Sequence, residues 1–251
     1  MAGDAAVPSP GLSRPYHIPR EAIYYLLLQR SRYRFQPLYR LFSGVGAGGF
    51  YKQRVTRSWI EAIRAPAIGR KYESDLRRTV EQLLPLIPER PRATLDIGGG
   101  IGGLSLALWR RFSSSIERLH LLDRTEVTPQ YHAGFRESAA FYNSQGVAKQ
   151  FLLSNGVPES VLHFAEAGLD PFPEGPLDLV ISTLAWGYHF PVSVYLDEVH
   201  RALAPGGTVV LHLRKGTDGE AALMRRFGSV QWIEETRKSG LVAAREPRAT
   251  S

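Results

Sequence analysis

No cysteine occurs among the 251 residues. That excludes a disulfide framework, thiolate metal sites and a cysteine nucleophile, while leaving the compartment open. Long apolar runs are lacking too. The longest near the N-terminus, Ile23 to Leu28, falls far short of the roughly 20 residues needed to span a bilayer. The opening residues carry no basic-apolar-small signal-peptide pattern, so the expectation is a cytoplasmic protein with no membrane span. What is present is an ordinary hydrophobic share, 43%, enough for a full-sized core in one large domain or a domain with an appendage.

The net charge of +7 is unevenly placed. Between Arg14 and Arg92 sixteen Lys and Arg face six Asp and Glu, whereas from Ala93 to Ser251 fifteen face seventeen. A basic N-terminal third suits an anionic partner, and it equally suits a solvated helical surface. Residues 1–19, rich in Gly, Ala, Pro and Ser, read as a flexible arm. Residues 20–92 read as a helical cap, with Ile23, Leu26 and Leu27 on one face, then Trp59, Ile60 and Ile63, then Leu76, Val80, Leu83 and Leu84. The glycine-rich stretch Ser43 to Gly49 interrupts those helices.

From residue 93 to 251 short apolar runs alternate with helix-length segments, as in a parallel sheet with crossovers. Strands are predicted at Thr94–Ile97, Leu119–Leu122, Val161–Phe164, Leu177–Ser182 and Thr208–Leu213. Helices are predicted near Leu104–Arg111, Tyr131–Gln145 and Val192–Leu203. A further helix over Gly219–Phe227 and a hairpin of Val230–Glu235 with Gly240–Ala244 follow.

The run Thr94-Leu95-Asp96-Ile97-Gly98-Gly99-Gly100-Ile101-Gly102-Gly103 takes a buried strand into glycines and then a helix. Glycines let backbone approach a ligand without a Cβ in the way, and the helix start offers free N–H groups. Gly98, Gly100 and Gly103 satisfy the dinucleotide pattern GxGxxG; Asp96, Gly98, Gly100 and Gly102 equally satisfy DxGxGxG. An acid at Asp96 would repel a pyrophosphate and would suit a ligand carrying an ammonium and a sulfonium. Asp123, ending Leu121-Leu122-Asp123, is placed to accept two ribose hydroxyls, which supports a ribose without naming the cofactor.

Together these motifs resemble the class I, Rossmann-like S-adenosylmethionine-dependent methyltransferases, over about Thr94 to Glu246. Glu166-Ala167-Gly168-Leu169-Asp170-Pro171-Phe172-Pro173 resembles the family segment after the third strand, and Leu177 to Ile181 its fourth strand. Glu198 to Thr208, with its Pro205-Gly206-Gly207 turn, resembles the helix, turn and fifth strand. The resemblance implies a doubly wound, mostly parallel seven-stranded α/β sheet with an antiparallel terminal strand, behind an N-terminal helical cap. It implies S-adenosyl-L-methionine as methyl donor and no metal. Gly98, Gly100 and Gly102 would hold the methionine portion, Asp96 its ammonium, Asp123 the ribose and Glu166, ahead of Asp170, the adenine amino group. One departure is Gly103, a glycine directly after the third glycine position, which leaves the turn's register open.

The loop after the fourth strand lies at the carboxyl edge where such sheets bind ligands. It reads Ser182 to Pro191 and contains His189, the candidate base for a hydroxyl acceptor, or else a hydrogen-bonded histidine at a helix start. Trp186, Tyr188 and Arg214 are acceptor-pocket candidates; His212, His163 and His200 read as structural. No Asn-Pro-Pro-Tyr or Asp-Pro-Pro-Tyr run follows that strand, and no Asp there begins a magnesium site. Tyr24, Tyr25, Arg30, Arg32, Tyr33, Arg34, Phe35, Tyr39, Arg40, Phe42, Phe50 and Tyr51 mix aromatics with arginines, chemistry that suits sugars, anions or RNA. The reading is an O-methyltransferase of a small molecule, a sugar or specialised metabolite. The alternatives are an RNA or protein methyltransferase docking through the basic third, or a donor-binding subunit without catalysis.

Overall fold

The computed structural model describes residues 15–29, 54–127 and 142–248, without the side chains of 24, 28, 54–64, 127 and 142. Helix α1 (Arg20–Gln29) and the long α2 (Arg54–Leu83) precede the sheet. Then come β1 (Ala93–Ile97), α3 (Gly103–Phe112), β2 (Arg118–Asp123), the short β3 (Glu126–Val127) and β4 (Tyr142–Asn143), and α4 (Gln145–Ser154). The chain continues through β5 (Leu162–Glu166), β6 (Leu177–Ser182), α5 (Leu196–Ala202), β7 (Leu203–Arg214), α6 (Gly219–Arg226), β8 (Phe227–Glu235) and β9 (Ser239–Pro247).

Seven strands form one sheet in the order β5-β2-β1-β6-β7-β9-β8. Strands β5, β2, β1, β6 and β7 run parallel, and β9 enters antiparallel between β7 and β8. The order reverses between β1 and β6, so both strands end beside a crevice at the carboxyl edge. All five residues of β1 are buried, as a central strand covered on both faces requires.

Each face has its own core. On one, Leu119, Leu121, Leu179 and Ile181 meet Leu104 and Leu108 of α3, Phe151 and Leu152 of α4, and Ile23, Leu26, Tyr72 and Leu76 of α1 and α2. On the other, Leu95, Ile97, Val180, Val209 and Leu211 meet Trp186, Val199 and Leu223. The apolar stripe of Ile23, Leu26 and Leu27 is therefore the face by which α1 packs on the domain.

Several elements differ from the sequence-based expectation. No described residue supports a helix over Tyr131–Gln145: residues 131–141 lie outside the described residues, Tyr142 and Asn143 form β4, and the helix starts at Gln145. Ser144 caps it, its Oγ accepting from Val147 N at 3.4 Å. The helix expected over Val192–Leu203 is a short 3₁₀ turn, Val192–Val194, followed by α5, and the strand expected from Thr208 already begins at Leu203. Within the stretch read as a flexible arm, residues 15–19 are pinned. His17 N donates to Asn155 Oδ1 at 2.9 Å, Asn155 Nδ2 donates back to His17 O at 2.7 Å, and Arg110 lies 4.2 Å over the Tyr16 ring. The Ser43–Gly49 stretch and the aromatic and basic residues from Arg30 to Tyr51 lie outside the described residues.

Candidate functional site

Strand β1 delivers its chain into a turn in which Gly98 (φ 71°), Gly100 (φ 60°) and Gly102 (φ 79°) are all left-handed. At Gly98 space forbids a side chain as well, since a Cβ would lie 2.2 Å from the Ala185 Cβ; one at Gly100 would lie 2.7 Å from Oε1 of the flexible Gln29 side chain, which would have to shift. Gly103 has a different reason to be glycine. It opens α3, where a Cβ would meet the Tyr72 hydroxyl at 1.8 Å. The additional glycine thus serves helix packing, and a Cβ at Gly102 would press on Leu152 Cδ1 at 3.1 Å and Leu121 Cδ2 at 3.3 Å.

Three carboxylates converge around this turn. Asp96 is 3% exposed, and its Oδ2 accepts from Ser105 Oγ of α3 at 2.9 Å. Asp123 ends β2; its Oδ2 accepts from Gly100 N at 2.8 Å and its Oδ1 from Arg124 N at 2.7 Å. Glu166 ends β5 and is the register partner of Asp123, its Oε1 accepting from Thr125 N. Asp170 instead closes the following turn, accepting from Glu166 N at 2.7 Å. Burial pushes the Asp123 carboxyl up to about 7, the two backbone donors oppose that, and the charges of Asp96 and Glu166 push it further up.

Such an acid cluster beneath bare backbone fits a ligand that brings positive charge and hydroxyl donors. Asp96 and the glycine turn would take an amino-acid ammonium and its neighbours, Asp123 a diol, and Glu166 an amino group. S-adenosylmethionine has those groups in that sequence.

Loop 182–191 lies against this turn, its Ala185 beside Gly98. Ser182 Oγ donates to Ile97 O at 2.8 Å and accepts from Trp186 N at 2.9 Å, tying the loop to the end of β1. Trp186 is fully buried in the core, with its indole N–H donating to Val192 O at 2.8 Å. It braces the loop from beneath. Leu184 holds φ 66°, a strained position for a branched side chain, and Ala185 beside it fills the space left by Gly98. Gly187 (φ 83°) lets the loop lie on β7, since a Cβ would come 2.3 Å from Leu211 Cδ1.

The loop thereby carries Tyr188 and His189 to the carboxyl end of β7. The two rings meet edge-on at 5.0 Å, and Tyr188 also meets His212 at 6.4 Å. Arg214 N donates to Gly187 O at 3.0 Å. Burial, and then the charge of Arg214, hold His189 below the usual histidine range. His200 and His163 stand elsewhere: His200 Nε2 bonds Arg248 O at 2.8 Å, and His163 stacks on His120.

The structure adds residues that the sequence did not single out. Gln29, the last residue of α1, covers Gly100, a position fixed only by how α1 docks. Gln145 Nε2 donates to Asp123 O and Ala165 O, both at 2.8 Å, and so clamps the ends of β2 and β5 together. Tyr195 joins Phe172 and Phe190 in an aromatic cluster, with ring centroids 5.9 and 6.0 Å apart, linking the loops after β5 and β6. The Ser144 cap was the one sequence signal that would have drawn attention to Gln145. Among the described residues no His, Asp or Glu group of three or more is arranged to hold a metal ion, and no helix is long and apolar enough to cross a membrane.

Residues 95–211 match the family model described as a methyltransferase domain. None of the curated proteins matches the chain in sequence. Among solved structures, the chain is similar to a protein from Nostoc punctiforme PCC 73102 assigned as an O-methyltransferase, at 16% identity and TM-score 0.51, covering 89% of this chain and 71% of that one. It is also similar to the S-adenosylmethionine-dependent methyltransferase SibL, at 21% identity and TM-score 0.47, covering 72% and 58%. A third is the T. thermophilus 16S rRNA N2 G1207 methyltransferase RsmC, at 19% identity and TM-score 0.46, covering 66% and 41%. The chain therefore spans little more than half the length of SibL.

Proposed function

We propose that the chain, whose residues 95–211 match the methyltransferase-domain family model, is a class I S-adenosylmethionine-dependent methyltransferase that methylates a hydroxyl oxygen of a small molecule, such as a sugar or a specialised metabolite. The observation that carries this reading is a half-buried histidine, held below the usual range, on the loop that packs directly against the donor-facing glycine turn. A neutral imidazole there is ready to accept a proton at pH 7.

S-adenosylmethionine, when bound, supplies a methyl carbon already activated by a positive sulfonium, so that the bond to the acceptor oxygen forms as the carbon–sulfur bond breaks and the electron pair stays on sulfur. The chain's own task is alignment, worth roughly 7–11 kcal/mol when reacting atoms are well oriented. Asp96 orients the donor's ammonium, Gly98, Gly100 and Gly102 admit its methionine portion, Asp123 accepts its ribose hydroxyls and Glu166 its adenine amino group. His189 removes the acceptor's proton and passes it to solvent, and Tyr188 forms a wall of the acceptor pocket. The division of the chain into a cap, residues 20–92, and a catalytic domain, residues 93–251, belongs to the same reading.

Incubation with methyl-labelled S-adenosylmethionine and a cell extract, followed by separation into small-molecule, RNA and protein fractions, tests it. Label in the small-molecule fraction supports the reading. Label in RNA or protein leaves the donor site standing and overturns the acceptor class.

A further inference from the structure

Strand β2 lies between β1 and β5, whereas β5 ends the row and, among the described residues, is bonded on one side only. The end of β2 is held from the β1 side by two bonds. Gly98 N donates to Leu122 O at 2.8 Å, and Gly100 N donates to Asp123 Oδ2 at 2.8 Å. The end of β5 carries Glu166, directly opposite Asp123 in the register. Carboxylates at the ends of adjacent strands repel, and the strand freer to yield is the outer one. Gln145 spans that joint. Its Nε2 carries two N–H groups and donates to Asp123 O and to Ala165 O, both at 2.8 Å. Just past β5, Ala167 N adds a bond to Asp123 O at 2.9 Å. A primary carboxamide offers two donors on one nitrogen without bringing a charge to the acids beside it. The glutamine is itself well anchored. It opens α4, its N donates to Thr125 Oγ1 at 3.3 Å, and Val147, Ala148, Phe151 and Leu152 bury the helix it begins. Thr125 N in turn donates to Glu166 Oε1, so glutamine, threonine and glutamate form one chain of contacts across the two strand ends.

We propose that Gln145 is a positioning residue for the donor: by fixing the span from Asp123 to Glu166, it makes the site select a nucleoside whose sugar diol and base amino group are held at once. This rests on the donor-site reading above and extends it to a residue that acts through two backbone carbonyls. Without the clamp β5 shifts while β2 stays with β1, so the loss falls on the base and spares the ribose. A residue that only supported the fold would weaken recognition of both alike.

Calorimetric titration of the full chain at pH 8 with three ligands tests it. They are S-adenosylhomocysteine, S-inosylhomocysteine, which puts a carbonyl where the base amino group stood, and the 2′-deoxy form of S-adenosylhomocysteine. The parent is expected to prefer S-adenosylhomocysteine over each analogue by at least about tenfold, as hydrogen bonds to a charged acceptor allow. Gln145→Met, similar in length and without N–H donors, should bring the preference over the inosyl ligand to within about threefold and leave the preference over the deoxy ligand unchanged. Glu166→Ala should likewise remove the base preference, and the two changes together should do no more than either alone, because Gln145 acts through Glu166. Gln145→Glu, also without side-chain N–H donors at pH 8, gives the same readout if Gln145→Met does not fold. An unchanged base preference in the Gln145 variant, equal loss of both preferences, or additive losses in the double variant would overturn the proposal. A parent that binds S-adenosylhomocysteine without preferring it to the inosyl ligand overturns this proposal alone; a parent that does not bind it overturns the donor-site reading and this proposal with it.

Discussion

The backbone N–H of Gly100 donates to Asp123 Oδ2 at 2.8 Å, so the glycine turn after β1 and the acid at the end of β2 are one unit. Because the Asp123 carboxyl is pushed up to about 7, mainly by burial, it is half protonated near neutral pH in the donor-free protein. The ionised form accepts hydroxyl hydrogen bonds through both oxygens; the protonated form gives up one acceptor. Affinity for S-adenosylhomocysteine should therefore be level above about pH 8 and fall toward tenfold per unit below about pH 7. Calorimetric titrations across pH 5.5–8.5 check this, and Asp123→Asn should remove the dependence. The same shift acts on the donor-free fold with the opposite tendency. The stability Asp123 contributes is whole below its unfolded value of 3.8 and is lost as pH rises through about 7.

Gly98→Ala adds a methyl group where the Ala185 Cβ already sits, at a backbone φ of 71°. The left-handed conformation alone costs roughly 1–2 kcal/mol for a side-chain-bearing residue. The variant should lose several degrees of Tm and at least about tenfold in donor affinity. Gly98→Ala combined with Ala185→Gly should recover the clash and not the φ strain, giving a coupling of about 1 kcal/mol or more in a double-mutant cycle of thermal or chemical unfolding.

His120 lies away from the site, buried in β2 and stacked on His163 at 4.8 Å, and its Nε2 has no hydrogen-bond partner among the described residues. Burial first, then the charges of His163 and Arg118, lower it to about 4. A depressed histidine contributes stability that is present above its unfolded value of 6.5 and is lost as pH falls toward 4. His120→Phe keeps a stacking ring without the titration. It should match the parent closely at pH 8 and exceed it by about 2 kcal/mol at pH 5, measured by denaturant unfolding.

Replacing His189 separates binding from chemistry. His189→Ala should leave S-adenosylhomocysteine affinity within about twofold and lower the rate of label transfer by roughly 10²–10⁴-fold, the range expected of a general base. Transfer at the parental rate would remove His189 from the mechanism.

Much of the sheet was legible because strands buried on both faces read as short apolar runs ended by glycine or an acid, as at Asp96–Gly98 and Leu122–Asp123. The need for glycine at 103 was not decidable from sequence, since Gly102 and Gly103 look alike; it is set by Tyr72, thirty-one residues earlier, whose hydroxyl a Cβ at 103 would meet. The burial of Trp186 was hidden for a similar reason. An aromatic residue in a site loop has the composition of a pocket wall, and its burial depends on Val192 and the second core, which no local pattern reports. Gln29 carried no signal, because a glutamine at a helix end gains meaning only once α1 is docked over Gly100. The start of α4 was legible in principle: Ser144 is a favoured cap, and Val147, Ala148, Phe151 and Leu152 follow at helical spacing.

The central claim is that Asp96, Asp123 and Glu166, with the glycine turn, form the donor site. Calorimetric binding of S-adenosylhomocysteine at pH 8 to the parent and to Asp123→Ala tests it most directly. Losing hydrogen bonds to a charged acceptor, at about 1.5–3 kcal/mol each, predicts saturable one-to-one binding by the parent and at least about thirtyfold weaker binding by a variant that remains folded. Equal affinity in the two proteins, or no binding by the parent, would contradict the account.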